Sequence, residues 1–193
     1  MGNQRPEGLL GIHVNMALAS PAALQTLGEP TTEEQEMLAK VKRYWDHESG
    51  YSTQQRTRPQ TLGYGLADSP VGQLAWIVEK FYAWTDSNGH LEGAVSREEL
   101  LDNVMLYWLT NSATSSARLY WESFPNPVAD EVPVPSAYSL FPKELFWVSE
   151  RWLRTRFTDL RYYHQTERGG HFAALEQPDI FVQEVRDGIQ ALQ

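Results

Sequence analysis

Cysteine is absent from the 193 residues, which removes disulfides, thiolate ligands and thiolate nucleophiles together and fits a reducing compartment. Basic residues are few: 16 Lys and Arg stand against 25 Asp and Glu, for a net charge of -9. Such a surface repels phosphate backbones, so nucleic acid is not an expected partner. No apolar run approaches the ~20 residues of a bilayer span, and Met1–Gly8 lacks the apolar stretch of a secretion signal. Position 6 is Pro6, not the Ser or Thr of a myristoylation site. No zinc or calcium motif occurs, and neither a metal nor a cofactor is expected. These exclusions point to a soluble, cytoplasmic protein.

Aromatic residues, by contrast, are plentiful: seven Trp and nine Tyr are more than core filling tends to use. Leu9–Asn15 reads as a short buried strand, followed by a Pro-containing linker over Ala17–Pro30. Thr31-Thr32 opens a helix to about His47, with Leu38, Val41 and Trp45 at helical spacing. Ser69-Pro70 starts another, carrying Leu74, Ile77, Val78, Phe81 and Tyr82 on one face. A capping box at Ser96 and Glu99 precedes an apolar stripe of Leu100, Leu101, Val104, Met105, Trp108 and Leu109. A short helix follows over Ser115–Glu122, and Phe124–Pro127 reads as a linker. Beyond it the pattern gives a strand at Val132–Tyr138, a helix at Glu150–Arg156 and a strand at Leu160–His164. Pro178–Leu192 closes the chain as an amphipathic helix with Ile180, Phe181, Val185, Ile189 and Leu192 inward.

Strands alternating with helices predict an α/β fold with a parallel sheet of about three strands, interrupted once by an all-helical block. The domain reading is 1–16 as a core strand, 17–127 as a helical cap and 128–193 as the C-terminal core. Three strands are too few to bury an open parallel sheet on both faces, so part of the sheet is expected to be missing. The pattern resembles a partial α/β-hydrolase core with its cap inserted late.

In that fold the catalytic groups follow the carboxyl ends of strands, in the order nucleophile, acid, histidine. Gly169-Gly170-His171 follows the last expected strand, and Glu144 follows the one before it. A carboxylate there would orient the imidazole and stabilise its protonated form. Spacing alone leaves this pair level with a plain loop histidine and a solvated glutamate, and Asp130 and Asp159 are rival partners for His171. His13 reads as a core histidine, and His47, His90 and His164 show no ligand spacing. Tyr64, Tyr107, Trp108 and Tyr138 read as core or pocket lining.

The segment Gly169-Gly-His-Phe-Ala-Ala-Leu-Glu-Gln-Pro178 resembles the catalytic-histidine segment of epoxide hydrolases. Gly50-Tyr-Ser-Thr-Gln-Gln-Arg-Thr-Arg-Pro-Gln-Thr-Leu-Gly-Tyr-Gly-Leu-Ala-Asp-Ser-Pro-Val-Gly72 is similar to their cap in the microsomal-type branch, as are Asn103–Trp108 and Ser115–Tyr120. The resemblance runs from Arg5 to the C-terminus. It implies hydrolysis of a small apolar epoxide to a vicinal diol, in epoxide metabolism or detoxification. An aspartate attacks an epoxide carbon to form an alkyl-enzyme ester, two cap tyrosines hold the epoxide oxygen, and a histidine–carboxylate pair activates the ester-cleaving water. Carried over by motif position, Tyr51 and Tyr120 are the tyrosines, His171 the base and Glu144 its acid, all meeting in one cavity. A phenol suits the oxygen because it can donate to a developing alkoxide. Read without the resemblance, Tyr51 also fits a surface tyrosine and Tyr120 plain packing.

No Gly-x-Asp-x-Gly nucleophile turn occurs, nor Gly-x-Ser-x-Gly, nor the family's His-Gly-x-Pro segment. Arg5–Leu10 resembles the end of the helix that follows the nucleophile turn. The expectation is therefore a C-terminal half from a truncated reading frame, without the attacking carboxylate and the first five or so strands. Such a piece is expected to be inactive alone and marginally stable or aggregation-prone, with an exposed sheet edge. On this reading the N-terminal half is either lost or separately encoded, and in the second case it is a partner of this chain. Two competing readings are another cap-bearing hydrolase, such as a haloalkane dehalogenase, and a non-catalytic ligand-binding or complementing subunit.

Overall fold

The structure, a computed structural model, describes residues 1–19, 24–123 and 131–193. The expected linker at Phe124–Pro127 and the rival acid Asp130 lie outside the described residues. The chain divides into two compact units, one of Met1–Lys42 with Ala129–Gln193 and one of Arg43–Val128. The sequence pattern placed the first boundary after residue 16; the units divide at Lys42, inside the first long helix.

Among its described residues the first unit holds three parallel strands, β1 (Ile12–Val14), β2 (Ser136–Leu140) and β3 (Leu160–Gln165), in the order β1-β2-β3. Every residue of β2, the middle strand, is buried, whereas β1 is half-buried and shorter than its sequence pattern suggested. β2 starts four residues later than the expected Val132. Pro133 and Pro135 have no N–H to give a ladder, and Val132 makes only an isolated bridge to Phe157.

Alternation along β2 sends Tyr138 and Leu140 to one face and Ala137 and Ser139 to the other. The first face is the apolar core, with Met37, Val148, Trp152, Leu153 and Phe157. Met37 comes from helix α1 (Thr32–His47), whose start is a reciprocal cap: Glu34 N–H donates to Thr31 Oγ1 at 3.2 Å, and Thr31 N–H to Glu34 Oε2 at 2.9 Å. The buried stripe of α1 is Glu34, Met37 and Tyr44, one residue out of phase with the expected Leu38 and Trp45, which are 42% and 48% exposed. The reason is an ion pair. Glu34 is bound by the guanidinium of Arg151 and, at 2.7 Å, by Ser149 Oγ, and this network turns α1 about its axis. Ser149 also caps the single-turn helix α7 (Glu150–Leu153), which is shorter than the expected Glu150–Arg156.

The second sheet face takes helix α9 (Pro178–Leu192). Its buried residues are Glu184 and Gly188, while the expected core residue Ile189 is 50% exposed. A Cβ at Gly188 would stand 2.9 Å from the His13 ring and 3.0 Å from the Ala137 Cβ, so glycine is what lets α9 approach the sheet.

The second unit is helical among its described residues: α2 (Gly50–Thr57), α3 (Pro59–Asp68), α4 (Pro70–Trp84), a 3₁₀ turn at Leu91–Gly93, α5 (Arg97–Leu109) and α6 (Ala113–Ser123). Pro59 and Pro70 each occupy a first-turn position, where a missing N–H costs nothing. Ser69 Oγ accepts from Gly72 N–H at 3.0 Å, and the Ser96–Glu99 capping box is present. Helix α6 packs on α2 and α3, and α4 on α3 and α5. Their inward faces are narrower than the apolar patterns: Leu100 and Val104 are buried on α5, but Leu101 and Leu109 are 44% and 75% exposed. On α4, Phe81 and Trp84 are buried and Tyr82 is exposed. Among the described residues no helix is long and apolar enough to cross a membrane.

Candidate active site

The loops after β2 and β3 do not separate at the ends of the strands. Thr166 N–H donates to Leu140 O at 2.9 Å, and Lys143 N–H to Gly169 O at 3.0 Å, so a parallel bridge between Lys143 and Gly170 carries the pairing onward. Gly169 makes this possible, with φ of +114° and an ideal Cβ that would lie 2.7 Å from Phe141 Cδ1. The next residue but one is His171. Its Nδ1 lies 2.7 Å from Oε1 of Glu144, whose side chain is fully buried, while the imidazole side chain is 24% exposed. Leu145 N–H donates to the same Oε1 at 2.6 Å, and Glu144 Oε2 has no hydrogen-bond partner among the described residues. With Glu144 ionised, Nδ1 carries the proton and Nε2 is the basic nitrogen.

Phe172 then stacks edge-on against the imidazole with ring centroids 5.1 Å apart, and its N–H donates to Glu176 Oε1 at 3.0 Å, closing the one-turn helix α8 (Ala173–Glu176). His171, Asn15, Phe172, Leu175 and Phe181 line an open, mostly apolar cleft of about 320 Å³. The first unit thus presents, at the carboxyl end of its sheet, an imidazole held by a buried carboxyl group. The rival acid Asp159 sits at the opposite end, before β3, where it is paired with Arg161 at 3.0 Å.

The second unit brings Tyr51 and Tyr120 together. Tyr51 lies in the first turn of α2 and Tyr120 on α6, with ring centroids 5.8 Å apart and planes at 81°. Trp84, the last residue of α4, packs edge-on against Tyr51 at 5.2 Å. Lys80 Nζ stands 4.6 Å from the centre of the Tyr51 ring, a cation over a π face. Burial pushes both phenols above their ordinary range; Tyr44 and Tyr120 press Tyr51 further up, while Tyr51 and Gln55 relieve Tyr120. Both are therefore neutral hydrogen-bond donors at any physiological pH.

The sequence patterns did not single out three features. Tyr44, from the last turns of α1, holds the Tyr51 hydroxyl with its own at 2.8 Å. Lys80 shows itself only through the ring it covers. The third is Glu184, which accepts from Ser139 Oγ at 2.7 Å and Tyr162 OH at 3.1 Å and pairs with His164 Nδ1 at 2.7 Å. Ser139 has a single proton and gives it to Glu184, so His13, 2.9 Å away, donates from Nε2. His13 is thus a bonded core residue, and burial lowers its pKa, partly opposed by Glu184. Tyr64, by contrast, is 70% exposed and lines no core. Among the described residues no group of three or more His, Asp or Glu side chains could hold a metal.

No protein-family model matches the chain. A Stigmatella aurantiaca protein provisionally named an epoxide hydrolase is 47% identical over 193 residues, all of this chain and 44% of that protein. Epoxide hydrolase 1 of Sus scrofa is 36% identical over 206 aligned residues, which take in 94% of this chain and 45% of that protein. Among solved structures, the juvenile hormone epoxide hydrolase of the silkworm Bombyx mori superposes with a TM-score of 0.88 at 34% identity, over 99% of this chain and 51% of that one. The chain spans a little under half the length of the curated relatives it matches.

Proposed function

We propose, for a chain that is homologous to the C-terminal part of the epoxide hydrolases and carries a partial α/β-hydrolase core with a helical unit, that it supplies the water-activating and oxygen-holding residues of epoxide hydrolysis. The observation that carries this reading is the 2.7 Å contact of His171 Nδ1 with the buried Glu144. In the proposed reaction an aspartate opens an apolar epoxide to an alkyl-enzyme ester, and Tyr51 and Tyr120 donate to the epoxide oxygen as charge develops there. His171 then takes a proton from the water that cleaves the ester, and Glu144 stabilises the imidazolium. The product is a vicinal diol. Two phenols suit an epoxide oxygen better than a halide, which favours this reaction over dehalogenation.

Within these 193 residues no Gly-x-Asp-x-Gly occurs, so an attacking aspartate on such a turn has to come from outside them. The test is diol formation from styrene oxide by the chain alone and by the chain joined to the N-terminal half of the silkworm enzyme. The expected result is no turnover in the first case and turnover in the second, lost on His171→Gln and cut about 10²-fold or more by Tyr51→Phe. Turnover that survives His171→Gln would overturn the assignment. Retention of the epoxide by a folded chimera without diol would favour the binding-subunit reading instead.

A further inference from the structure

Tyr44 has no part in the reaction as proposed, yet it is placed to decide what Tyr51 can do. It is buried on α1, and its hydroxyl oxygen lies 2.8 Å from that of Tyr51. At that distance one hydroxyl donates and the other accepts. A phenol has one proton. If Tyr51 turns its proton toward a substrate oxygen, the side facing Tyr44 must receive a proton from Tyr44. If Tyr44 lost its hydroxyl, Tyr51 would meet the substrate without that polarising donor.

We propose that Tyr44 is a positioning residue and proton relay behind Tyr51, donating to the Tyr51 oxygen so that the Tyr51 proton points at the epoxide. This rests on the role proposed above for Tyr51. When the epoxide C–O bond breaks, its electron pair stays on oxygen. That alkoxide takes the proton of Tyr51, the Tyr51 oxygen takes the proton of Tyr44, and the negative charge comes to rest on Tyr44. The ester-cleaving water later releases one proton, the number Tyr44 needs to regain its own. No oxidant, reductant or further reactant is required.

The surroundings agree with that order. Tyr51 and Tyr44 are both pushed up by burial, but the bond from Tyr51 relieves Tyr44, whereas Tyr44 and Tyr120 hold Tyr51 higher still. The groups acting on the pair are Tyr120 and Glu48 beside Tyr44, Tyr107 beside Tyr120, and Lys80, which covers the Tyr51 ring and is itself paired with Glu79 at 2.6 Å. Lys80 over the Tyr51 face eases the build-up of negative charge on that ring as its proton passes to the alkoxide.

The test uses the 193-residue chain labelled with ¹³C at the tyrosine Cζ atoms, with styrene oxide as the probe. The relay predicts that styrene oxide shifts the Tyr51 and Tyr120 signals and also the Tyr44 signal. Replacing Tyr51 with Phe should abolish the Tyr44 response and move the Tyr44 ionisation midpoint to higher pH. The other tyrosines report whether the variant is folded. If Tyr51→Phe disturbs them, 3-fluorotyrosine at position 44 keeps the shape and ionises earlier, which should drive the Tyr51 midpoint up. A probe response at Tyr51 without one at Tyr44, with independent midpoints, overturns the relay and leaves the proposed function standing. No response at Tyr51 or Tyr120 overturns the proposed function, and the relay with it.

Discussion

Glu144 meets His171 through one oxygen only: Oε1 takes both the imidazole Nδ1 at 2.7 Å and the Leu145 amide at 2.6 Å, while Oε2 has no hydrogen-bond partner among the described residues. Two donors on one atom fix the plane of the carboxylate, and with it the direction of the ring. Glu144→Gln is expected to keep the fold but lose the charge that stabilises an imidazolium. In the chimera with the silkworm N-terminal half, diol formation should fall by roughly 10²-fold or more. Unchanged turnover would mean that Glu144 is not the orienting acid.

Glu34 supports a prediction in acid. Its hydrogen bonds to Arg151, and then to Ser149, hold its carboxyl at about 2, well below the ordinary 4.5. A carboxyl depressed in the fold contributes fully above its unfolded value and loses that contribution as pH falls through its folded one. Urea midpoints should therefore drop between about pH 4.5 and 2 in the native chain. Glu34→Gln is expected to cost roughly 2 kcal/mol near pH 7, a difference that vanishes toward pH 2. Parallel curves at all pH values would contradict this.

His13 predicts the same direction at milder pH. Burial lowers its pKa from 6.5, so the folded chain keeps it neutral while the unfolded chain takes up a proton. Its contribution is present above pH 6.5 and declines as pH falls below that value. Denaturation midpoints at pH 7.5 and 5.5 should differ more in the native chain than in His13→Gln. An equal difference in both would assign the slope elsewhere.

Gly169→Ala should separate the loops that carry Glu144 and His171. Its backbone at φ +114° disfavours any side chain, and the new methyl would meet Phe141 Cδ1 at 2.7 Å. We expect a loss of about 1–3 kcal/mol, read as a lower thermal midpoint, together with a change in the His171 imidazole signals. Retention of both would show that the loop can re-form around the methyl group.

Much of this was visible in the residues. The Ser96–Glu99 capping box, the cap at Ser69 and the bounds of α9 came out as their local chemistry demands. The three parallel strands and the loop positions of Glu144 and His171 followed from the order of strands and turns. Helix faces were read less well. Leu38 and Trp45 on α1 and Ile189 on α9 were expected inside and are half-exposed, because Glu34 and Glu184 occupy the inner faces instead. An apolar moment cannot signal a buried carboxylate, since the partners that make its burial tolerable, Arg151 and Ser149 for one, Ser139, Tyr162 and His164 for the other, lie far away in sequence.

What the sequence determined by itself is short-range: where helices begin, where prolines forbid pairing, and which loop carries an imidazole. Those follow from hydrogen bonds and dihedral limits that span a few residues. The tertiary structure alone decided that Glu144 and not Asp159 reaches His171, that Tyr44 stands behind Tyr51, and that two carboxylates face inward. Each of these depends on whether a charge or hydroxyl finds a partner when water is removed, and only the folded chain brings such partners within reach.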